Sequence, residues 1–310
     1  MKLLKHRGAR ATAAVAVGLL TLGLVACSPE APGSPAASGS SGATSYDDII
    51  SAGTTADAAT ISANQWASQV KKNGVLHVGG TETSQLFSLL DPAKGKAVGF
   101  DAGLSQLLAK YIIGEPKTKL DQVTVDTRED LLVNKSVDAV FATYSITPKR
   151  EARVDFAGPY YSSQAGILVK SSNNDIKGVA DLAGKTVATQ AASTGVTLLA
   201  NEAPKAKVLS LPDHAQALAA VKQGRADAYV IDQSLLLNAL VSNKDVKIVG
   251  DPFGPKDNYG IGLTKGTDAK AFVNAWLKKI IDDGTWLKLW QATIGAQTGT
   301  DKAPTPPKVG

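Results

Sequence analysis

From residue 74 onward, short runs of apolar, often β-branched residues alternate with longer stretches whose apolar residues recur every three to four positions. The short runs are typical of buried strands, and the longer stretches are typical of helices with one apolar face. The alternation predicts a layered α/β fold. Strands are predicted at residues 75–78, 123–126, 139–143, 166–169, 186–188, 208–210 and 228–231, and helices at residues 103–113, 129–133, 194–202, 214–223 and 233–242.

Two stretches of the chain share one pattern. Residues 131–140 and 221–230 each run from the end of a helix through a short polar turn and an aspartate into an apolar strand. The likeness predicts two lobes of similar construction, which a chain of 310 residues is long enough to form. Asp138 and Asp227, which stand before the two strands, are therefore predicted to be turn residues and not site residues.

The two ends of the folded part are less informative. Residues 268–290 predict two helices, in which Trp276, Trp286 and Trp290 lie at the spacing of core residues. Residues 293–310 are predicted to be a disordered tail. Residues 46–73 form an N-terminal extension that is mildly helical around residues 64–72 and receives no role.

The first 27 residues have the features of a secretion signal. A basic start is followed by an apolar stretch at residues 11–22, which is too short to span a membrane, and then by Leu24-Val25-Ala26-Cys27. This motif resembles the lipobox of bacterial lipoproteins, in which the cysteine becomes the acylated first residue of the mature protein. The alternative is an ordinary signal peptide with an unrelated cysteine.

The predicted leader changes the net charge that applies to the mature protein. The chain has 33 basic and 28 acidic residues, but four basic residues lie in the leader, which leaves 29 in the mature protein. A near-neutral mature chain gives little support to a nucleic-acid partner. Cys27 is the only cysteine, so no internal disulfide is expected, and the three scattered histidines give no metal-ligand motif.

Composition and pattern together give an expected division of the chain. Residues 28–45, rich in Ser, Ala, Gly and Pro, cannot build a core and are predicted to be a flexible tether. The expected segments are a lipoprotein signal peptide (1–26), the acylated cysteine and tether (27–45), the extension (46–73), the first part of lobe 1 (74–158), lobe 2 (159–252), a return to lobe 1 (253–292) and the tail (293–310).

The most informative segment of the chain is 138–161. An apolar strand is followed by Ser145, a helix start at Thr147-Pro148, the cation Arg150 and a second extended run that ends at Tyr161. A serine hydroxyl, the free amides of a helix opened by proline and a guanidinium are all groups that bind a small anion. The segment therefore predicts a site that holds an anion and does not predict bond cleavage.

Several motifs, in order along the chain, resemble those of one family. With the segment 138–161, they are Val98-Gly99-Phe100-Asp101 before a helix, the stretch 181–187, Ala226-Asp227-Ala228 leading to Asp232, and the stretch 259–263. The set, which covers about residues 74–292, resembles the family 3 solute-binding proteins of bacterial ABC importers, the receptors for polar amino acids. The resemblance implies the type II fold of periplasmic binding proteins: two α/β lobes, a cleft for the ligand and two hinge crossings, near residues 158–162 and 253–260.

The resemblance also implies roles for individual residues. Arg150, Ser145, Thr194 and Gly195 would bind the α-carboxylate of an amino acid. Asp232, with the carbonyl group of Ala142 or Thr143, would bind its ammonium group. Plainer alternatives remain: Asp232 and Thr194 as helix caps, and Arg150 as a surface residue.

The group that recognises the ligand side chain is less well defined. Members of the family often carry an aromatic residue shortly after the first strand, but here Thr81 occupies that region and Phe87 follows several residues later. The stretch 142–146, with Arg128 upstream, is similar to actinobacterial glutamate and aspartate receptors. Arg128 would then meet an acidic side chain, which favours glutamate, aspartate or their amides; the alternative is a solvated surface arginine.

Two other functions fit the same fold. One is an enzyme that resembles prephenate or arogenate dehydratases, which needs a positioned acid or base; His77 lies in a predicted strand, and His214 begins a helix on a predicted surface. The other is an amino-acid sensor for a membrane kinase. The favoured interpretation is a lipid-anchored, monomeric receptor outside the cytoplasm that uses no cofactor and delivers a free amino acid to a permease and its ATPase.

Overall fold

The computed structural model describes residues 44–93 and 95–310. The predicted leader, Cys27 and all but the last two residues of the predicted tether lie outside this part of the chain. Within the described part, no helix is both long enough and apolar enough to cross a membrane. The described helices are α1 (Tyr46–Ala52), α2 (Ala58–Ser62), α3 (Gln65–Asn73), α4 (Phe100–Ile113), α5 (Arg128–Val133), α6 (Pro148–Glu151), α7 (Thr194–Glu202), α8 (His214–Gln223), α9 (Gln233–Ser242), α10 (Ala269–Asp282), α11 (Thr285–Trp290) and α12 (Ala296–Thr298).

The strands of the described residues form a large mixed sheet and a small antiparallel one. The large sheet has the strand order β5-β1-β6-β11-β7-β10-β8-β9, and the small one has the order β2-β3-β4. The α/β class predicted from the sequence is confirmed. The strands are β1 (Leu76–Gly80), β2 (Thr83–Ser84), β3 (Ser88–Asp91), β4 (Lys96–Val98), β5 (Thr118–Gln122), β6 (Ala139–Phe141), β7 (Asp155–Lys170), β8 (Thr186–Gln190), β9 (Lys207–Leu211), β10 (Ala228–Asp232) and β11 (Val246–Leu263).

The long strands β7 and β11 join the two halves of the large sheet. They pair antiparallel to each other, with Tyr161 opposite Tyr259 and Ser162 opposite Asn258. On one side of this pair lie the parallel strands β6, β1 and β5, and on the other side lie β10, β8 and β9. These halves are lobe 1 and lobe 2, and the two predicted hinge crossings meet in the β7–β11 pair.

The two lobes repeat one local arrangement. The carboxylate of Asp138 accepts the backbone N–H of His77 at 2.8 Å, and that of Asp227 accepts the backbone N–H of Thr186 at 2.8 Å. Each aspartate thereby ties the strand that follows it to the first parallel strand of its lobe. Their predicted role as turn residues before a strand is confirmed, and the equivalence agrees with the sequence likeness between the lobes.

The prediction of a strand at residues 123–126 is wrong. The strand in this region is β5 (Thr118–Gln122), which lies at the edge of the sheet and pairs only with β1. An edge strand tolerates polar and charged side chains because one of its sides is exposed. Its sequence therefore lacks the apolar run that marks a central strand.

The N-terminal extension packs on lobe 1. The carboxylate of Asp268, just before α10, accepts the backbone N–H groups of Gln65 and Trp66 at 2.6 and 3.1 Å. The side-chain amide of Asn64 donates to the backbone carbonyl of Asp268 at 2.9 Å. The extension, which received no role from the sequence, thus anchors the start of α3 to the start of α10.

The C-terminal segment packs against the core, and the expectation of a disordered tail is corrected. Ile294 is buried, and Ala303 and Val309 contact buried core residues. The backbone N–H of Gly310 lies 3.4 Å from the carbonyl oxygen of Gly158. Beyond α12, apolar side chains in a proline-rich stretch let the chain follow the surface of lobe 1 without helix or strand. The three tryptophans at 276, 286 and 290 are buried, as predicted.

Candidate functional site

A polar cavity of about 80 Å³ lies where the two lobes face each other. It is lined by residues at or just beyond the carboxyl ends of parallel strands from both lobes. Open α/β sheets bind ligands at this end of their strands. Lobe 1 contributes the ends of β1, β5 and β6 (Thr81, Gln122 and Ala142), and lobe 2 contributes the ends of β8, β9 and β10 (Gln190, Pro212 and Asp232).

Arg150 is a buried cation in the wall of this cavity, with only 6% of its surface exposed. The short helix α6 positions it, with Pro148 at the first helical position and Thr147 as N-cap. Nη1 donates to the carbonyl oxygen of Ser145 at 2.7 Å, and Nη2 donates to that of Ala192 in lobe 2 at 3.3 Å. Burial lowers the pKa of Arg150. Its interpretation as a surface arginine is excluded.

Arg128 is a second buried cation in the same wall. Its guanidinium carbon lies 3.8 Å from the centre of the Tyr144 ring, and Nη1 donates to the carbonyl oxygen of Ala142 at 2.9 Å. Burial, and then the charge of Arg150, lowers the pKa of Arg128 to about 9, so the group is charged at neutral pH. The alternative of a solvated surface arginine is wrong, because α5 turns this side chain inward.

Asp232 ends β10 and places a carboxyl group in the cavity. The hydroxyl of Tyr259 donates to it at 2.8 Å and lies 2.8 Å from the hydroxyl of Ser234. Burial, and then the neighbouring carboxyl group of Asp257, raises the pKa of Asp232 well above its usual value. Although Asp232 stands at the N-cap of α9, its side chain makes no capping hydrogen bond. Its role as a plain cap is therefore excluded.

The start of α7 brings Thr194 and Gly195 to the cleft. Ser193 is the N-cap, and Thr194 is not; its hydroxyl donates to the carboxylate of Asp257 at 2.6 Å. Thr194 lines the polar cavity, whereas Gly195 lines an adjoining cavity of about 680 Å³ that also reaches Arg150 and Asp232. A Cβ atom at Gly195 would overlap the Thr189 hydroxyl, so glycine lets the helix start pack against β8.

The remaining predicted residues from lobe 1 surround Arg150 and Arg128. Ser145 and Thr143 line the cavity, and Ser145 forms a β-bridge with Tyr259 of the hinge. Thr143 has a left-handed backbone (φ 43°), and its N–H donates to the carboxylate of Asp101 at 2.8 Å. The hydroxyl of Thr81 lies 3.3 Å from the carbonyl oxygen of Ser88. Ala142, predicted to offer its carbonyl group to a ligand, already accepts from Arg128.

Phe87 does not line the cavity, which corrects its prediction as a ligand contact. It is 1% exposed and packs edge-on against the rings of Tyr161 and Tyr259, at centroid distances of 5.8 and 6.4 Å. The residue follows the short hairpin strand β2, so its ring turns into the core beneath the hinge.

Asp101 and His214 are among the titratable groups of the cavity that were missed in the sequence. Asp101, in the first turn of α4, is buried and accepts from the Thr143 N–H and, at 2.8 Å, from the Tyr160 hydroxyl. Burial raises its pKa to about 7. The signal for it was present, because Asp101 closes one of the motifs quoted above.

The second missed group is His214, which was predicted to lie on the surface. It begins α8 as predicted, but it lines the cavity. Nδ1 lies 3.2 Å from the Tyr229 hydroxyl, and Nε2 is buried without a hydrogen-bond partner among the described residues. Its position directly after β9 was the available signal. Within the part of the chain that the structure covers, no group of three His, Cys, Asp or Glu side chains is placed to hold a metal ion.

Comparisons with known proteins agree with this geometry. The sequence model of "Bacterial extracellular solute-binding proteins, family 3" matches residues 76–295. The chain is 34% identical over 247 residues to the ABC transporter glutamine-binding protein GlnH of Bacillus subtilis, covering 79% of this chain and 90% of that one. It is 37% identical over 201 residues to a glutamine-binding protein of Geobacillus stearothermophilus, covering 64% and 76% of the two chains.

Among solved structures, the chain is similar to a cysteine-binding protein from Campylobacter jejuni. The TM-score is 0.72 with 27% identity, over 77% of this chain and 96% of that one. The fold is thus the type II fold of periplasmic amino-acid-binding proteins, as the sequence motifs implied. The similar proteins are named for different amino acids, so similarity alone does not assign a ligand.

Proposed function

Because the chain belongs to family 3 of the bacterial extracellular solute-binding proteins, we propose that it binds a free amino acid between its lobes and presents it to an ABC importer. The observation that carries the proposal is the pair Arg150 and Asp232. They bring a guanidinium and a carboxyl group from different lobes to one cavity, in which both side chains are buried. A zwitterion needs such a pair, since burying each of its charges without a partner costs several kcal/mol.

The two main-chain charges of the ligand would be divided between the lobes. Arg150, with Ser145, Thr194 and the amide of Gly195, would bind the α-carboxylate. Two guanidinium hydrogens of Arg150 are used on backbone carbonyl groups, and Nε lies 4.0 Å from the Glu129 carboxylate. The second hydrogen on each terminal nitrogen remains for a ligand. Asp232 would bind the ammonium group, together with the carbonyl group of Thr143 or the second lone pair of the Ala142 carbonyl.

The ligand side chain would meet Arg128 and Thr81. A charged guanidinium favours a side-chain carboxylate or amide oxygen, so glutamate, aspartate, glutamine and asparagine are the preferred ligands. The names of the two glutamine-binding relatives support this class. Basic amino acids would place a second cation beside Arg128 and are disfavoured.

Delivery would depend on closure of the lobes about the β7–β11 pair. Hydrogen bonds already cross between the lobes, among them Arg150 to the carbonyl oxygen of Ala192, and the backbone N–H of Leu86 to the Asn238 side-chain oxygen at 2.7 Å. Ligand-driven closure of two lobes is a common way to convert binding into a recognisable shape. The permease would read that closed shape.

The lipobox-like motif that ends at Cys27 supports a receptor that is anchored on the outer face of the cell membrane. Two acyl chains on the cysteine would hold it there stably. Mass spectrometry of the protein from its native membrane tests this step, because acylation adds the mass of the lipid to a peptide that begins at Cys27. An unmodified Cys27, or cleavage at another residue, would remove the anchor from the proposal.

Isothermal titration calorimetry of the purified protein with the twenty common amino acids tests the function. We expect one tight class of ligands with acidic or amide side chains. Absence of binding to every amino acid would overturn the receptor proposal. Turnover of prephenate or arogenate by the same preparation would instead favour a dehydratase. A deletion strain that keeps its amino-acid uptake but loses a kinase response would favour sensing.

A further inference from the structure

His214 lines the binding cavity, and its Nε2 atom is a buried polar group without a hydrogen-bond partner among the described residues. Burial lowers the pKa of His214 to about 4, so the imidazole is neutral at physiological pH. Buried polar atoms are normally hydrogen-bonded, and an exception requires an explanation.

The neighbours of the ring determine which nitrogen carries the hydrogen. Nδ1 lies 3.2 Å from the hydroxyl of Tyr229. Either atom of this pair can be the donor. Where the hydroxyl donates to Nδ1, the neutral ring carries its hydrogen on Nε2 and has a donor left for a ligand oxygen. This tautomer is the one that the proposed contact requires.

The strand order places this donor at the far end of the cavity from the hinge. In lobe 2 the order outward from β7 is β10, β8 and β9, so Asp232 stands nearest the hinge and His214 follows the edge strand. Two strand spacings, about 10 Å, separate the strands β10 and β9 that lead to the two residues. Arg128 likewise follows β5, the edge strand of lobe 1. The main chain of a ligand would lie near the hinge, and its side chain would point toward the edge strands.

The separation between these two strands favours the longer of the candidate ligands. An amino acid with a five-carbon skeleton, together with a hydrogen bond of about 2.9 Å at each end, spans about 10 to 12 Å. A four-carbon amino acid is shorter by about 1.3 Å, which stretches the last contact beyond hydrogen-bond range. Resting on the proposed function, we propose that His214 Nε2 donates to the side-chain oxygen of the ligand and thereby selects glutamine and glutamate over asparagine and aspartate.

A pair of substitutions separates this role from a structural one. In His214→Asn the short amide can keep the contact with Tyr229 but no longer reaches the cavity. In His214→Gln the longer side chain places its amide nitrogen near the position of Nε2. His77, which lies half-buried on β1 and does not line the cavity, provides the matched control His77→Asn.

Calorimetry with glutamine, glutamate, asparagine and aspartate is the test. The unaltered protein should bind the better five-carbon ligand at least about tenfold more tightly than its four-carbon counterpart, as one well-formed hydrogen bond permits. His214→Asn should bind the five-carbon ligands about tenfold more weakly, while its affinity for the four-carbon ligands should not change. His214→Gln and His77→Asn should keep the preference, and thermal unfolding should show all variants folded.

The outcomes separate the inference from the function on which it rests. Equal losses for all four ligands in His214→Asn, or an unchanged preference, would overturn the selection role while leaving the receptor intact. A preference for an amino acid outside these four would do the same. If the unaltered protein binds no amino acid, the proposed function fails and the role of His214 fails with it.

Discussion

Nη2 of Arg150 in lobe 1 lies 3.3 Å from the carbonyl oxygen of Ala192 in lobe 2, directly before the start of α7. Ala192 has a left-handed backbone, with φ 55°, which turns this carbonyl group toward the cleft. Nη1 holds the Ser145 carbonyl oxygen on the other side. The guanidinium is therefore fixed between the lobes before a ligand binds, and little ordering remains to oppose binding.

Replacement of Arg150 by alanine should abolish amino-acid binding. The variant leaves the α-carboxylate of the ligand buried without its partner, and breaking a buried ion pair costs about 3 to 5 kcal/mol. This corresponds to a loss of at least about 100-fold in affinity. Arg150→Lys should recover only part of it, since a single ammonium group cannot replace the two-pronged contact. Calorimetry with the best ligand measures both effects.

Arg153→Ala is the matched control for this experiment. Arg153 lies three residues further along, is half exposed, and pairs with Glu129 and Asp130 at 3.0 and 2.7 Å. Exposed ion pairs contribute about 1 kcal/mol or less, so this variant should bind normally. Similar losses in Arg150→Ala and Arg153→Ala would contradict a specific role for Arg150.

Much of the fold was predictable from local sequence pattern. The bounds of α7, α8 and α9 agree with the periodicity of their apolar residues. The full lengths of β7 and β11 were not predictable, because their central parts combine glycine, proline and polar residues around residues 158–164 and 250–258. These stretches remain extended because the two strands pair with each other across the hinge. The local sequence pattern does not indicate such a pairing.

The candidate site was predictable where a sequence motif marks the residue, and not where the neighbouring strands decide its position. Arg150 and Asp232 follow strands whose motifs were recognisable, and both line the cavity. The position of His214 depends on the neighbouring strand β9 and on the order of strands in the sheet, which the sequence did not fix. The prediction of Phe87 as a ligand contact was wrong for a related reason. The two-residue strand β2 before it turns its ring into the core.

Amino-acid binding should release a proton from Asp232. Burial, and then the neighbouring Asp257, raises its pKa well above the usual value, so the empty site holds this proton to a higher pH than an unperturbed carboxyl group does. An ammonium group favours the ionised form. Affinity should therefore rise with pH, by up to about tenfold per unit, until the ligand ammonium loses its own proton. Calorimetry in buffers of different ionisation enthalpy measures the proton released.

Asp232→Asn provides the control for this linkage. The amide cannot ionise, so binding should weaken strongly and the proton release assigned to Asp232 should disappear. An affinity that does not change with pH in the unaltered protein would contradict the prediction. So would a proton release of the same size in Asp232→Asn, since it would then belong to another group.

Gly195→Ala should weaken binding without unfolding the protein. The new Cβ atom would overlap the hydroxyl of Thr189 and push the first turn of α7 away from β8, which displaces the amide proposed to bind the carboxylate. Gly178→Ala is the matched control, because its backbone is extended and a Cβ atom there meets no atom within 4 Å. Calorimetry should show weaker binding for Gly195→Ala only; equal affinities for the two variants would contradict the role of the helix start.

Asp101 should make the protein less stable as the pH rises from about 4 to 7. Burial raises its folded-state pKa to about 7, against 3.8 for an unperturbed group. The folded protein therefore holds a proton that the unfolded chain has lost, and this stabilisation, about 1.4 kcal/mol for each pKa unit, is lost as the pH rises through the folded pKa.

Asp101→Asn tests this linkage, because it keeps an oxygen for the Thr143 N–H but does not titrate. Urea unfolding over this pH range should show a flatter profile of the free energy of unfolding for Asp101→Asn than for the unaltered protein. Parallel profiles for the two proteins would show that Asp101 titrates alike in the folded and unfolded states, contrary to its burial.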